Sequence, residues 1–279
     1  MIAVITVSHG SDAVLDPFLA SISTASRTPV TVVVVDNKPD GSAAREIAAG
    51  FGARYLTDEN RGYGHGINAG VASLTEPVDW ILVCNPDLVL EPGSIDVLRG
   101  TGETDAAISA VGPRILNSDG TTYASARSLP SIRTGVGHAL FANVWESNPW
   151  TRRYLRDAGE PRRRDAGWLS GACLLIRHDV FESLRGFDEG YFMYFEDVDL
   201  GFRMQRAGLR SVYEPKAVVT HTGAHSTQTD SARMLAAHHE SANRFLARKY
   251  SGPLLWPVRT ALAVGLAIRS RFQQRHADH

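Results

Sequence analysis

Five carboxylates fall within the twelve residues from Asp188 to Asp199, among Phe187, Tyr191, Phe192, Tyr194 and Phe195. Solvated acidic surface is seldom that aromatic. Carboxyl groups held against aromatic walls keep their protons more tightly, and a general base is built that way. Helix spacing sorts the five. Glu196, Asp199 and Arg203 stand at i, i+3 and i+7 on one face, so Asp199 and Arg203 are expected to pair. Asp197 points about 100° away from Glu196. It is therefore the freer carboxylate and the candidate general base, with Glu196 beside it as the second candidate catalytic group. Asp188 and Glu189 are expected to shape the preceding turn.

Four earlier motifs carry further chemistry. Asn85-Pro86-Asp87 closes an apolar run. A carboxylate there can ligate a divalent cation, Mg²⁺ or Mn²⁺, that bridges the phosphates of a nucleotide diphosphate; a plain turn is the competing reading. Asp36-Asn37 ends another apolar run. Asp36 can accept from a pyrimidine imide or a ribose hydroxyl, or serve as a turn residue. Ser8-His9-Gly10 follows the first run and fits either a base or ribose contact or a simple turn. Asn60-Arg61-Gly62-Tyr63-Gly64-His65-Gly66-Ile67-Asn68 is rich in glycine but does not match G-x-G-x-x-G, and it does not follow the first strand. A dinucleotide fingerprint is thus rejected. The tract can still offer N–H groups to a phosphate, with Arg61 adding charge, while close helix–sheet packing explains some of the glycines. A second metal ligand is best supplied by His221, at the end of a late strand; His225, His238 and His239 are weaker candidates.

These motifs need a scaffold that gathers strand ends. Ile2–Val7, Val30–Val35 and Trp80–Cys84 are continuous apolar runs, as in parallel strands buried on both faces. Helices are predicted at 13–25 (capped by Ser11 or Asp12), 42–51 (capped by Ser42), 64–73 and 95–99. Strands are predicted at 54–57 and 107–111. This βαβα order predicts an α/β fold with a doubly wound, mostly parallel sheet and ligands at the carboxyl ends of its strands. Residues 114–166 read as loops and a mobile flap. Trp168–Arg177 reads as one strand, 179–184 as a helix, 210–214 and 217–221 as two strands. Residues 230–249 read as an amphipathic helix with Met234, Leu235, His238, Ala242, Phe245 and Leu246 on its apolar face.

A net charge of -1 argues against a nucleic-acid partner. Cys84 and Cys173 read as buried thiols in a reducing compartment. The opening residues lack a basic n-region and read as a strand, not a signal peptide. No window holds the roughly 20 apolar residues of a membrane span. Residues 152–164 hold six arginines against Asp157 and Glu160, and seven basic residues with no acid lie between Arg244 and Arg275. Solvated helix surface and attraction to anionic lipid or pyrophosphate are both open for these runs.

Taken together, Ser8, Asp36-Asn37, Asn60 to Gly64, Asn85-Pro86-Asp87, Trp168 to Ala172 and Phe195 to Leu200 resemble the family 2 inverting glycosyltransferases with the GT-A fold. The resemblance spans residues 2–225, and within the family the tract Gly186–Arg203 is most similar to bacterial rhamnosyltransferases. It implies a GT-A domain over 1–228, with a nucleotide-binding half (1–112) and an acceptor half (113–228), followed by C-terminal helices over 229–279. It implies donor contacts from Ser8, Asp36, Asn37, Asn60, Arg61, Gly62, Gly64, Asn68, Asn85, Pro86 and Asp87. Asp87 and His221 would hold the metal, Asp197 would be the base, and Trp168, Ser170, Gly171 and Ala172 would line the acceptor side. Asn85 stands where many relatives carry the first acid of Asp-x-Asp, leaving one carboxylate fewer. The implied partners are dTDP-rhamnose and a polyprenyl-diphosphate-linked N-acetylglucosamine at the cytoplasmic membrane face, with galactofuranose or UDP-hexose donors as alternatives. Two other classes stay in view. A nucleotidyltransferase would carry a basic glycine-rich loop after strand one, which is lacking, and a non-catalytic sugar-binding module would not need Asp197.

Overall fold

The unbroken apolar runs become interior strands because water reaches neither of their faces. The computed structural model describes residues 1–131, 161–223 and 231–252, with residues 257 and 260. In chain order the elements are β1 (Ile2–Ser8), α1 (Asp12–Ala25), β2 (Val30–Asp36), α2 (Ala44–Gly50), β3 (Arg54–Thr57), α3 (Tyr63–Ala72), β4 (Trp80–Cys84), β5 (Leu88–Leu90), α4 (Ser94–Gly102) and β6 (Ile108–Asn117). There follow β7 (Thr122–Tyr123), β8 (Ala126–Arg127), β9 (Arg164–Ala166), β10 (Trp168–Leu169), β11 (Cys173–Arg177), α5 (His178–Ser183), α6 (Glu196–Arg206), β12 (Arg210–His221) and α7 (Ser231–Lys249).

The main sheet runs β3-β2-β1-β4-β11-β6-β12-β5. β3, β2, β1 and β4 are parallel to one another. β11 is antiparallel to both β4 and β6, β12 is parallel to β6, and β5 is antiparallel to β12. Six strands therefore point one way, so Ser8, Asp36, Cys84 and His221 end at the same edge. One face is covered by α1, α2 and α4 through Leu15, Phe18, Ala48 and Leu98. The other is covered by α3, α5 and α6 through Ile67, Phe181, Leu200 and Met204. Fully burying one such Phe or Leu stabilises the fold by about 1.5–3 kcal/mol. Gly66 of α3 lets that helix lie close on β1, where an added Cβ would stand 2.8 Å from Val7 Cγ2.

Several sequence boundaries move. β6 extends to Asn117 because Ile115 and Leu116 pair with the second half of β12, so part of the stretch expected to be irregular is sheet. β7, β8 and β9 add short strands to it; the rest of the expected flap, 132–160, lies outside the described residues. Residues 210–221 are one strand with a register shift between Glu214 and Val218, where Pro215 interrupts the ladder. Trp168–Arg177 is instead two strands. β10 pairs with β8 in a small second sheet, and the chain crosses to the main sheet at Ser170-Gly171-Ala172. Asp12 does not cap α1. Its carboxylate accepts the Ala43 N–H (2.8 Å) and the Ser42 hydroxyl (3.0 Å), fixing the start of α2. On α7 the buried imidazole is His239, while His238 packs edge-on against Tyr194 and Phe195. Cys84 and Cys173 face each other across β4 and β11 as free buried thiols, with sulfurs 3.8 Å apart. Among the described residues no helix is long and apolar enough to cross a membrane.

Candidate active site

Two helices begin at the strand-end edge, and their first turns meet. Gly62 precedes α3 with φ +115°, and an added Cβ there would overlap the Phe192 carbonyl. That carbonyl accepts the Tyr63 N–H at 3.0 Å. Only glycine combines that backbone with so close an approach. Ahead of α6, Tyr194 and Phe195 both adopt left-handed conformations, φ 67° and 66°. Each costs a non-glycine residue about 1–2 kcal/mol, held by the surrounding packing. The two sharp bends turn Glu196 and Asp197 back toward α3 and the strand ends.

Asp197 is fixed by two backbone amides. Its Oδ2 accepts the Gly171 N–H at 3.0 Å and its Oδ1 the Val198 N–H at 2.8 Å. Tyr63 donates its hydroxyl to the Gly171 carbonyl (2.9 Å), and the Asn85 N–H donates to the Ala172 carbonyl (2.8 Å). Through these bonds the crossing at 170–172 ties Asp197 to the Asn85-Pro86-Asp87 turn. Burial raises the Asp197 carboxyl above its ordinary value, and the two amides and the Arg127 charge pull it back. Glu196 has less relief: burial first, then the neighbouring Asp197, pushes it up to about 8. Its Oε2 is buried and finds no hydrogen-bond partner among the described residues. The expectation that Asp197 is the freer carboxylate is therefore reversed, because the amides of residues 171 and 198 converge on Asp197 alone. Nor does Glu196 join Arg203. The fully buried Asp199 takes that guanidinium at 2.6 Å and the Arg248 guanidinium at 2.8 Å.

Beyond that turn, His221 Nε2 stands 3.2 Å from Asp87 Oδ1. This contact raises the imidazole pKa, chiefly by hydrogen bonding. Oδ1 itself is buried, and no other donor among the described residues reaches it. Thr222 donates both its N–H and its hydroxyl to the Asp87 carbonyl, each at 2.9 Å. An oxygen and an imidazole nitrogen fit a divalent cation that takes its remaining ligands from water and phosphate. No group of three or more such side chains gathers among the described residues.

The expected donor contacts divide. Ser8 is wholly buried and its hydroxyl has no partner among the described residues. Asp36 is also wholly buried, accepting from the Lys38 N–H (3.0 Å) and the Tyr55 hydroxyl (2.9 Å). A base contact from Asp36 needs one of these bonds to give way. Asn37 is half-buried, and its amide approaches Asn60 Oδ1 at 3.4 Å. Arg61 lies on the buried His65, 3.0 Å from Nε to Nε2, and that ring also contacts Asp58 (3.0 Å) and Glu189 (2.9 Å). Asn68 is committed to other partners. Four residues beyond Gly64, it clamps the turn at 187–189 through the Phe187 N–H, the Phe187 carbonyl and Glu189. Pro86 is buried within its turn.

In the stretch expected to line the acceptor side, the Ser170 hydroxyl accepts the Ala172 N–H at 3.3 Å. Trp168 packs against Gly201 of α6 and joins the cluster of Val198, Phe202 and Phe245. It acts chiefly as packing behind α6, with Arg127 5.9 Å from its ring centroid. Sequence reasoning missed Tyr63, Arg127 and the Phe192 carbonyl. Asp188 and Glu189 do shape the turn, Asp188 accepting the Gly190 N–H at 2.9 Å and pairing with Arg244 and Arg248. His225 lies outside the described residues, and His238 and His239 sit on α7.

A mostly parallel sheet whose strand ends face two helix starts is the GT-A form of glycosyltransferase. Two solved structures share it: GalNAc-T7 with UDP, GalNAc and Mn²⁺ (TM-score 0.58, 14% identity, 80% of this chain and 44% of that one) and the mannosyltransferase PcManGT from Pyrobaculum calidifontis with GDP-Man and Mn²⁺ (TM-score 0.55, 17% identity, 99% and 72%). The family model described as "Glycosyltransferase like family 2" matches residues 1–241, and the chain belongs to that family. It is 43% identical over 286 residues to the N-acetylglucosaminyl-diphospho-decaprenol L-rhamnosyltransferase of Mycobacterium tuberculosis, covering 99% of this chain and 93% of that one. It is 28% identical to the rhamnosyltransferase WbbL of Escherichia coli, over 89% and 94%. The protein is an enzyme, a glycosyltransferase.

Proposed function

We propose that the enzyme moves L-rhamnose from dTDP-rhamnose onto a polyprenyl-diphosphate-linked N-acetylglucosamine, in the linker that joins arabinogalactan to peptidoglycan. The near full-length similarity to a rhamnosyltransferase with that acceptor supports the sugar and the lipid. The observation that carries the chemistry is the bonded path from Asp197 through Gly171 and Ala172 to Asn85. It supports a reading in which a proton acceptor, the crossing segment and the strand-end turn serve one site.

In this reading Asp197 takes the proton from the acceptor hydroxyl, which attacks the anomeric carbon from the side opposite the leaving diphosphate and inverts its configuration. The Gly171 and Val198 amides keep its carboxylate aimed, and burial makes it a better base. Asp87 and His221 would hold Mg²⁺ or Mn²⁺, and its charge would stabilise the leaving diphosphate. The Asn60–Gly64 turn and Asn37 face the nucleotide, and Ser170 to Ala172 lie on the acceptor side.

Ligand binding raises apparent stability, so a melting-temperature panel tests the donor. dTDP with Mn²⁺ is expected to give the largest rise among dTDP, UDP and GDP. A larger rise with UDP would move the donor to a UDP-hexose or UDP-galactofuranose.

The enzyme is further proposed to work at the inner face of the plasma membrane, where its acceptor is anchored. The motive is the acid-free basic run from Arg244 to Arg275 and the apolar segment 260–268; Arg244, Arg248 and Lys249 of the run are described, while its later basic residues and the segment beyond residue 260 lie outside the described residues. Liposomes containing anionic lipid should sediment the full chain but not one ending at 252. Equal sedimentation of both would remove the tail from membrane binding.

A further inference from the structure

Glu196 is a buried carboxyl beside the candidate base that the proposed chemistry leaves unused. It opens α6 and is only 6% exposed. Its Oε2 is enclosed and, among the described residues, without a hydrogen-bond partner, although buried polar atoms ordinarily find one. Glu196 lies on the α3 side of the pair: its Cβ is 3.7 Å from where a Gly64 Cβ would stand. Asp197 lies on the crossing side, bonded to Gly171. Among the groups around Glu196, Asp197 belongs to its own helix, the Tyr63 phenol comes from α3, and Tyr194 comes from the bend before α6. Arg127 of β8 adds positive charge, and it acts on Asp197. Among the described residues no arginine, lysine or histidine forms an ion pair with Glu196, while Asp199 on the same helix takes two. A lone buried carboxyl beside an anion is held as the acid, and an acid has one O–H to give.

We infer that Glu196 is a sugar-contacting residue, a carboxylic acid that donates its O–H to an oxygen of the donor sugar seated between α3 and Asp197. Glu196 thereby leaves Asp197 as the single anion of the pair and reads the sugar rather than the nucleotide. The inference rests on the glycosyl-transfer reading of the cleft and deepens it.

The test compares Glu196→Gln with Glu196→Ala. Glutamine keeps a donor and has no proton to lose; alanine removes both. Titration with dTDP-rhamnose and with dTDP alone should show wild type and Glu196→Gln gaining affinity from the sugar. Glu196→Ala should lose about 10-fold or more for dTDP-rhamnose, a lost hydrogen bond, with dTDP binding unchanged. Binding of dTDP also reports that each variant is folded. The pH profile gives a second readout. The O–H is present below about pH 8 and lost above it, so wild-type kcat/KM should fall as pH rises through that value, and Glu196→Gln should lack that limb. Glu196→Gln behaving like Glu196→Ala, or keeping the alkaline fall, would overturn the inference. Asp197→Asn measured alongside separates the two levels. If that variant stays active the cleft reading fails; if it is inactive while Glu196→Ala binds donor like wild type, only the role of Glu196 fails.

Discussion

Asp197→Asn is expected to lower the transfer rate about 1,000-fold, within the range of a lost general base. Nucleotide binding should be little changed. The side chain is tied to Gly171 and Val198 through backbone N–H groups, so asparagine can keep one of these bonds with its carbonyl. Its NH₂ faces the other amide donor to donor, a local strain offset by removing a buried charge. The fold should therefore survive, and the loss should appear in kcat. Turnover with purified enzyme, with dTDP binding measured on the same sample, separates the two effects. Near-normal turnover would mean that another group takes the acceptor proton.

The second large effect is expected at Asp87. Asp87→Ala removes the oxygen nearest His221 Nε2 and should abolish the extra stabilisation that Mn²⁺ gives to nucleotide binding. Transfer should drop about 100-fold or more, the scale of losing electrostatic stabilisation of a leaving group. His221→Ala should weaken the same response less, because a neutral imidazole holds a dication less strongly than a carboxylate. Calorimetric titration of Mn²⁺ with dTDP decides the matter. An unchanged cation response in Asp87→Ala would place the metal elsewhere.

The frame of the molecule was legible because its central strands are uninterrupted apolar runs, and such runs have few alternatives to a sheet covered on both faces. The nearness of Asp87 to His221 was legible for the same reason: one follows, and the other closes, a strand that ends at that edge. The acceptor half was less so. Two-residue strands such as β7 and β8 carry no period, and a single glycine at 171 divides what reads as one strand. Contacts across long separations were hidden altogether. The Tyr63 hydroxyl meets Gly171 108 positions later, and nothing local to either residue signals it. Asn68 shows the opposite failure. Its place in a glycine-rich tract suggested a ligand, while its helix face points it at the turn of residues 187–189. Arg244 and Arg248 read as a basic surface or a lipid contact, yet they pair with Asp188 and Asp199.

That last pairing has a consequence for biosynthesis. Asp199, wholly enclosed, relies on Arg203 and on an arginine 49 positions downstream. On the ribosome, the segment bearing Glu196 and Asp197 emerges well before its second counter-ion and cannot reach its final arrangement until residue 248 has cleared the exit tunnel. The family match stops at residue 241, so a fragment trimmed to that limit would leave Asp199 with half of its neutralising charge.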